Sequence, residues 1–117
     1  MNAGISAMNV ALLILHKLGE VEMRRLRELT YVAAKASGVA VEEPEESKGP
    51  YSPEVIYGLE IALEAGFMYE KRIQNTYYCG LTNTGKAAAE ILSKKRADLR
   101  EKVEIAIYSG TYPSQEG

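Results

Sequence analysis

Apolar positions near the start of the chain fall at Ile5, Met8, Ala11, Leu12, Leu15 and Leu18, and Val10, Leu13 and Ile14 widen that stripe until little polar face remains. The spacing predicts a helix, and its breadth predicts burial on most sides. Gly19 ends it. A second helical pattern runs from about Val21 to Ser37, with Met23, Leu26, Leu29, Ala33 and Ala36 on its apolar face and Gly38 as its stop. A third begins at Ser52-Pro53, where serine suits the capping position and proline the first helical one. Val55, Ile56, Leu59, Ala62 and Leu63 continue it at helical spacing, and Gly66 stands where a left-handed C-terminal cap is needed.

After Gly66 the period changes. Phe67, Tyr69 and Ile73 lie on one side of a Gln74-Asn75 pair and Thr76, Tyr77 and Tyr78 on the other, which predicts a β-hairpin turning at that pair. Thr82 or Asn83 then caps a last helix, expected as one long element from about Gly85 to Ile107. Ala88, Leu92, Leu99, Val103 and Ala106 approach a three-four spacing there, interrupted at Lys95. The segment 39–51, VAVEEPEESKGPY, is too long for a tight turn. Val39 and Val41 suit a short edge strand beside the hairpin, and the glutamates around Pro44 suit a solvated loop. The tail SGTYPSQEG has no periodicity.

The order helix, helix, helix, two-stranded ribbon, helix is that of a winged helix-turn-helix, an α+β fold of three helices plus a two- or three-stranded wing, here with a long C-terminal helix. The segment LTNTGKAAAE resembles the end of the wing and the start of the following helix in PadR- and MarR-type regulators. MRRLRELTYVAAKASG, GPYSPEV and LEAGFMYE are similar to the YwgA-like group and some antitoxin-associated domains, in which a K-L-x-K-L-x-Y-L-A helix precedes a G-P-Y-S turn. Together these cover about residues 10 to 90. The resemblance implies a winged-helix domain over 1–85 and a C-terminal helix over 86–110 that pairs two subunits as in PadR-type proteins, and the aperiodic end is expected as a flexible tail over 111–117. It implies a homodimeric, DNA-binding transcription regulator whose dimer interface is Ala88, Leu92, Leu99, Val103 and Ala106. The alternative for the last helix is that it packs back on its own domain.

Composition narrows the classes. The chain has 117 residues, enough for one domain with a modest core. Its one cysteine, Cys79, and one histidine, His16, offer neither an internal disulfide nor zinc-ligand spacing, so no metal or cofactor is expected. Val10 to Leu15 is too short an apolar run to span a membrane, and no secretory leader pattern accompanies it, so a cytoplasmic location is expected. No base, nucleophile or glycine-rich phosphate loop accompanies the scattered carboxylates, which points away from an enzyme. Cys79, between tyrosines in a strand, reads as a small core residue rather than a redox sensor.

Charge is polarised within a total of −2. Glu42 to Glu64 carries seven acidic residues and one lysine, while Lys86 to Lys102 carries six basic and three acidic ones. The third helix has Glu54, Glu60 and Glu64 and no cation, a surface that phosphates repel. Double-stranded DNA as partner therefore rests on three other sets of candidates. Arg24, Arg27, Tyr31 and Lys35 share one face of the second helix. Lys71, Arg72, Gln74 and Asn75 stand at the wing tip. Ser47, Lys48, Tyr51 and Ser52 lie near the start of the third helix, where a helix N-terminus also favours phosphate. Gly58 costs about 1 kcal/mol in mid-helix; with Glu54, Ile61 and Tyr57 it is expected on the face away from the core, open to DNA or to another protein, unless the acidic loop or the last helix packs over it. The alternative function is a protein-interaction module, antitoxin-like or for complex assembly, that uses the acidic third helix with Tyr57 and Ile61 as its contact.

Overall fold

The computed structural model describes residues 3–39, 41 and 52–109. Helix α1 (Ala3–Leu18) leads through a two-residue strand β1 (Val21–Glu22) into α2 (Met23–Ala36). Helix α3 (Pro53–Glu64), strands β2 (Met68–Ile73) and β3 (Thr76–Leu81), and helices α4 (Asn83–Lys95) and α5 (Ala97–Tyr108) follow. Among the described residues the fold is thus α+β, with five helices and one antiparallel sheet in the order β1-β3-β2. The acidic loop with Lys48 and Tyr51, and the tail over 111–117, lie outside the described residues.

Helix α1 is the centre. Ala7, Val10, Ala11, Leu12, Leu13, Ile14 and Leu15 are all buried, because α2, α3, α4 and α5 each pack against it. Ile5, expected in the same stripe, is exposed near the helix start. Gly58 corrects a second expectation. It faces α1 rather than solvent, and a Cβ placed on it would stand 2.6 Å from the Gly4 carbonyl oxygen and 2.8 Å from the Met8 nitrogen. The glycine therefore lets α3 cross α1 at backbone contact, and the cost of glycine in mid-helix is offset by that close packing.

The helix stops follow the glycines. Gly38 and Gly66 both take φ +82. In each case the glycine N–H bonds three residues back, to Lys35 or Leu63, and the next N–H bonds five back, from Val39 to Ala34 or Phe67 to Ala62. That pair of bonds is a Schellman cap, which satisfies carbonyls the helix leaves open. Val39 and Val41 do not form a strand; they pack half-buried against the core. The sheet edge beside β3 is taken instead by Val21 and Glu22, opposite Cys79 and Tyr78. Val21, placed at the head of the second helix by its apolar spacing, is β-branched and buries its side chain in extended form.

The largest departure concerns the C-terminal helix. It is two helices, broken at Arg96 (φ −122, ψ 58), whose guanidinium clasps Asp98 with Nε and Nη2 bonds of 3.1 and 3.2 Å. The break turns α5 back onto α1 and α2. Leu99, Val103 and Ala106 are consequently buried in the chain's own core, while Leu92 packs half-buried against it and Ala88 is half-exposed. Of the expected dimer seam Ala88, Leu92, Leu99, Val103 and Ala106, all but Ala88 therefore form an intramolecular packing surface, and the interruption at Lys95 marks the break.

A single joint fixes the hairpin to the helices. Thr82 caps α4, its hydroxyl accepting from the Gly85 N–H at 3.0 Å and donating to the Gly66 carbonyl, while its own N–H donates to the Phe67 carbonyl at 3.1 Å. Gly85 lies so close to Phe67 that any Cβ there would collide with the Phe67 carbonyl. The L-T-x-x-G pattern is thus a structural joint between α3, β3 and α4. Because the obstacle is backbone, Gly85→Ala is expected to cost about 2–4 kcal/mol, read as a lowered thermal midpoint with the α-helical spectrum retained. Gly58→Ala is expected to destabilise for the same reason at the α1–α3 crossing; a midpoint equal to wild type in either variant contradicts this packing.

Candidate nucleic-acid interface

The residues expected to meet DNA separate into groups with different fates. Arg24, Arg27, Tyr31 and Lys35 do share one ridge of α2, since their spacings of three and four residues keep them on a face. Arg24 is well exposed, with only a 3.8 Å approach to Glu28. An exposed pair of that kind contributes little and leaves the cation available to phosphate. Arg27 is half-buried. Tyr31 is half-buried too, and Lys35 reaches its hydroxyl at 3.5 Å and lies 5.7 Å from its ring centre. The N-terminal turn of α2 follows β1 directly, so the sheet order sets Arg24 and Arg27 beside the hairpin. Between them runs a cleft of about 410 Å³, with Arg24 and Arg27 on one wall and Glu70, Asn75, Thr76 and Tyr77 on the other. Arg25, exposed beside Arg24, is a further cation at this turn that periodicity alone did not single out.

The β2–β3 hairpin turns at Gln74-Asn75, as the sequence predicts, with Ile73 paired to Thr76. Gln74 takes φ 56, a conformation uncommon for a residue with a Cβ. Arg72 braces it: Nε donates to the Gln74 carbonyl at 2.7 Å and Nη2 to Asn75 Oδ1 at 3.1 Å. Strand alternation sends Lys71 to the opposite face from Arg72, so these two do not form one basic tip. Lys71 instead pairs with Glu20 at 3.1 Å. The pair is solvent-exposed, so Glu20 offsets the Lys71 charge only in part.

Two further candidates change role. Ser52 occupies the N-cap position of α3 with extended backbone angles but makes no cap bond. It is fully buried and donates to Glu54 Oε1 at 2.7 Å, so it is unavailable to a phosphate. Tyr57 is exposed on α3 in line with Glu60 and Glu64, whereas Ile61, expected beside it, leans half-buried into the core. No helix among the described residues is long and apolar enough to cross a membrane.

A polar strap on the outer face of the sheet escaped the sequence reading. Tyr69 donates its hydroxyl to Glu20 Oε1 at 2.6 Å, and the same oxygen takes the Lys71 contact. The Tyr69 hydrogen bond, with Lys71 second, lowers the Glu20 carboxyl below its ordinary value, and Glu20 in turn raises the Tyr69 phenol. Tyr69 lies across Gly80, its cross-strand partner; a Cβ at Gly80 would stand 2.5 Å from the Tyr69 hydroxyl. Glycine opposite an aromatic in the hairpin was the available signal. The strap borders a second cleft of about 480 Å³, whose lining includes His16, Lys86, Glu20, Glu90, Leu15 and Leu81.

Because the folded Glu20 carboxyl lies below its unfolded value, the strap contributes stability above the ordinary carboxylate range and loses it as pH falls through the folded value. Tyr69→Phe is expected to move the Glu20 carboxyl titration, followed by NMR, upward toward its ordinary position. An unmoved titration rules the hydrogen bond out. Cys79 is fully buried, its thiol 3.5 Å from the Val21 carbonyl, and burial followed by the Glu70 charge pushes it up to about 12. With almost no thiolate near neutrality, Cys79 is expected to resist a thiol-reactive dye until the protein is denatured; rapid labelling of the native protein contradicts a core role.

No protein-family model matches the chain, and no curated protein or solved structure matches it either.

Proposed function

We propose that the protein is a winged-helix DNA-binding regulator that engages duplex DNA chiefly through the N-terminal turn of α2 and the adjoining wing. The observation that carries this reading is the element order with a β1-β3-β2 sheet, which sets the arginine-bearing turn Arg24-Arg25, with Arg27, beside the hairpin that ends in Arg72 and Asn75. Guanidinium groups at a helix start and a hairpin tip suit phosphate contacts on either side of a groove, which position a module without reading sequence. Helix α3 then contributes shape rather than charge. Its exposed line of Tyr57, Glu60 and Glu64 bears no cation, so close approach to phosphates there is unfavourable. That same line favours a second reading, in which α3 docks a protein partner and DNA is not bound.

Fluorescence anisotropy with a mixed pool of duplex DNA separates the two. The native protein is expected to bind at low salt and to weaken steeply as salt rises, since each phosphate neutralised releases counterions. Arg24→Glu/Arg25→Glu, both at exposed positions, is expected to reduce low-salt affinity by about tenfold or more, while Tyr57→Ala leaves it nearly unchanged. Absence of binding by the native protein at low salt overturns the DNA reading and moves the function to the exposed face of α3.

A further inference from the structure

The cleft beside the Tyr69–Glu20 hydrogen bond has a volume of about 480 Å³, within the roughly 300–1,000 Å³ typical of small-molecule sites. Three elements build it: the end of α1, the base of the β2–β3 hairpin and the opening turns of α4. Leu15 and Leu81 give it an apolar lining, and both side chains are already held in the core. Its charged groups come in both signs. Glu20 is fixed in place by Tyr69 and Lys71, and both contacts fall on Oε1, so Oε2 keeps no contact among the described residues. Lys86 makes no ion pair among the described residues, and Glu90, one turn further along α4, reaches Lys94 instead at 3.5 Å.

We propose that this cleft binds a free α-amino acid with an apolar side chain. The ligand's ammonium group pairs with Glu20, its carboxylate with Lys86, and its side chain rests on Leu15 and Leu81. The balance of charge selects this class over simpler ones. Glu20 and Glu90 are anionic, Lys86 is cationic, and Lys71 offsets Glu20 in part, so neither sign dominates the cleft. A simple amine leaves Lys86 unanswered and a simple carboxylic acid meets Glu20 and Glu90, whereas a zwitterion satisfies both signs at once. Glu20 also lies two residues past the C-terminal end of α1, where the last helical carbonyls carry partial negative charge that favours an ammonium group. A metal ion is a poorer occupant, since no group of three or more His, Cys, Asp or Glu side chains among the described residues is placed to hold one. Occupancy of the cleft is independent of DNA binding.

L-leucine is a ligand of about nine non-hydrogen atoms, so a dissociation constant on the order of 1 mM is expected. Amide NMR spectra of the full chain without DNA, followed as L-leucine is added to about 20 mM, cover that range. Shifts are expected at Gly19, Glu20, Gly80 and Lys86. Isocaproate, which lacks the ammonium group, and isoamylamine, which lacks the carboxylate, are each expected to bind more weakly by about tenfold or more. Lys86→Gln is expected to weaken leucine by about tenfold and to leave isoamylamine unchanged, and Glu20→Gln to weaken leucine likewise and to leave isocaproate unchanged. The same spectra report whether each variant is folded. Lys86 has no ion pair to lose among the described residues, so its variant tests the proposal whatever Glu20→Gln does to the strap. Leucine that shifts none of the cleft amides at the highest concentration overturns the proposal. So does a single-charge analogue that binds as well as leucine, or a Lys86→Gln variant that binds leucine as the native protein does.

Discussion

The structure follows from one constraint, that α1 is apolar almost all the way round. A helix with Val10, Ala11, Leu12, Leu13, Ile14 and Leu15 in succession has no face it can leave in water. Two neighbours do not cover it. The chain supplies four, and several otherwise unrelated details are consequences of fitting them. Helix α3 crosses closely enough to require Gly58. The C-terminal segment breaks at Arg96 because a straight helix extends past α1, whereas a bent one lays Leu99, Val103 and Ala106 on it and on α2. Burying Leu99 and Val103 is worth on the order of 1.5–3 kcal/mol each, against a net of about 0.5–1.5 kcal/mol for each backbone bond given up at the break.

Around that centre the sheet is attached rather than embedded. Its core-facing residues Val21, Met68, Cys79 and Leu81 are buried at the base of the hairpin, and the ribbon beyond them has no layer to pack on. What holds its base is the Thr82 joint, in which one hydroxyl serves two elements and one glycine removes the obstacle between them. The charges nearest the tip are then divided by strand alternation, Arg72 bracing the turn and Lys71 returning to Glu20. A hairpin can therefore look doubly basic in sequence while offering one guanidinium near its end.

Much of the fold was legible because the signals were local and redundant. Gly38 and Gly66 end helices with the same cap, Thr82 opens one, and the Gln74-Asn75 turn falls where the aromatic and branched runs meet. Features set by tertiary packing were not. Nothing in the spacing around Gly58 says that another helix approaches there, since a glycine reads the same whether it faces solvent or a neighbouring backbone. The C-terminal pattern resembles one element for a similar reason: two helices whose apolar faces meet the same core imitate an interrupted seam, and only the stumble at Lys95 tells them apart. Of the candidate contacts, those fixed by helical spacing, Arg24, Arg27, Tyr31 and Lys35, share a face as expected. Ser52 and Lys71 take internal partners instead, Ser52 a hydrogen bond to Glu54 two residues on and Lys71 an ion pair with the sequence-distant Glu20.

The pairing of Tyr69 with Gly80 also governs how the hairpin can form at all. A slip of one residue along β3 sets the tyrosine ring against the side chain of Cys79 or Leu81 and exchanges the two faces of the strand, bringing Tyr78 or Gly80 to the place where Cys79 is buried. Alternative alignments of these two strands are therefore penalised on both faces at once. The reach of the hairpin beyond the body is in this sense a ruler, calibrated at its base by the one position in β3 that has no side chain.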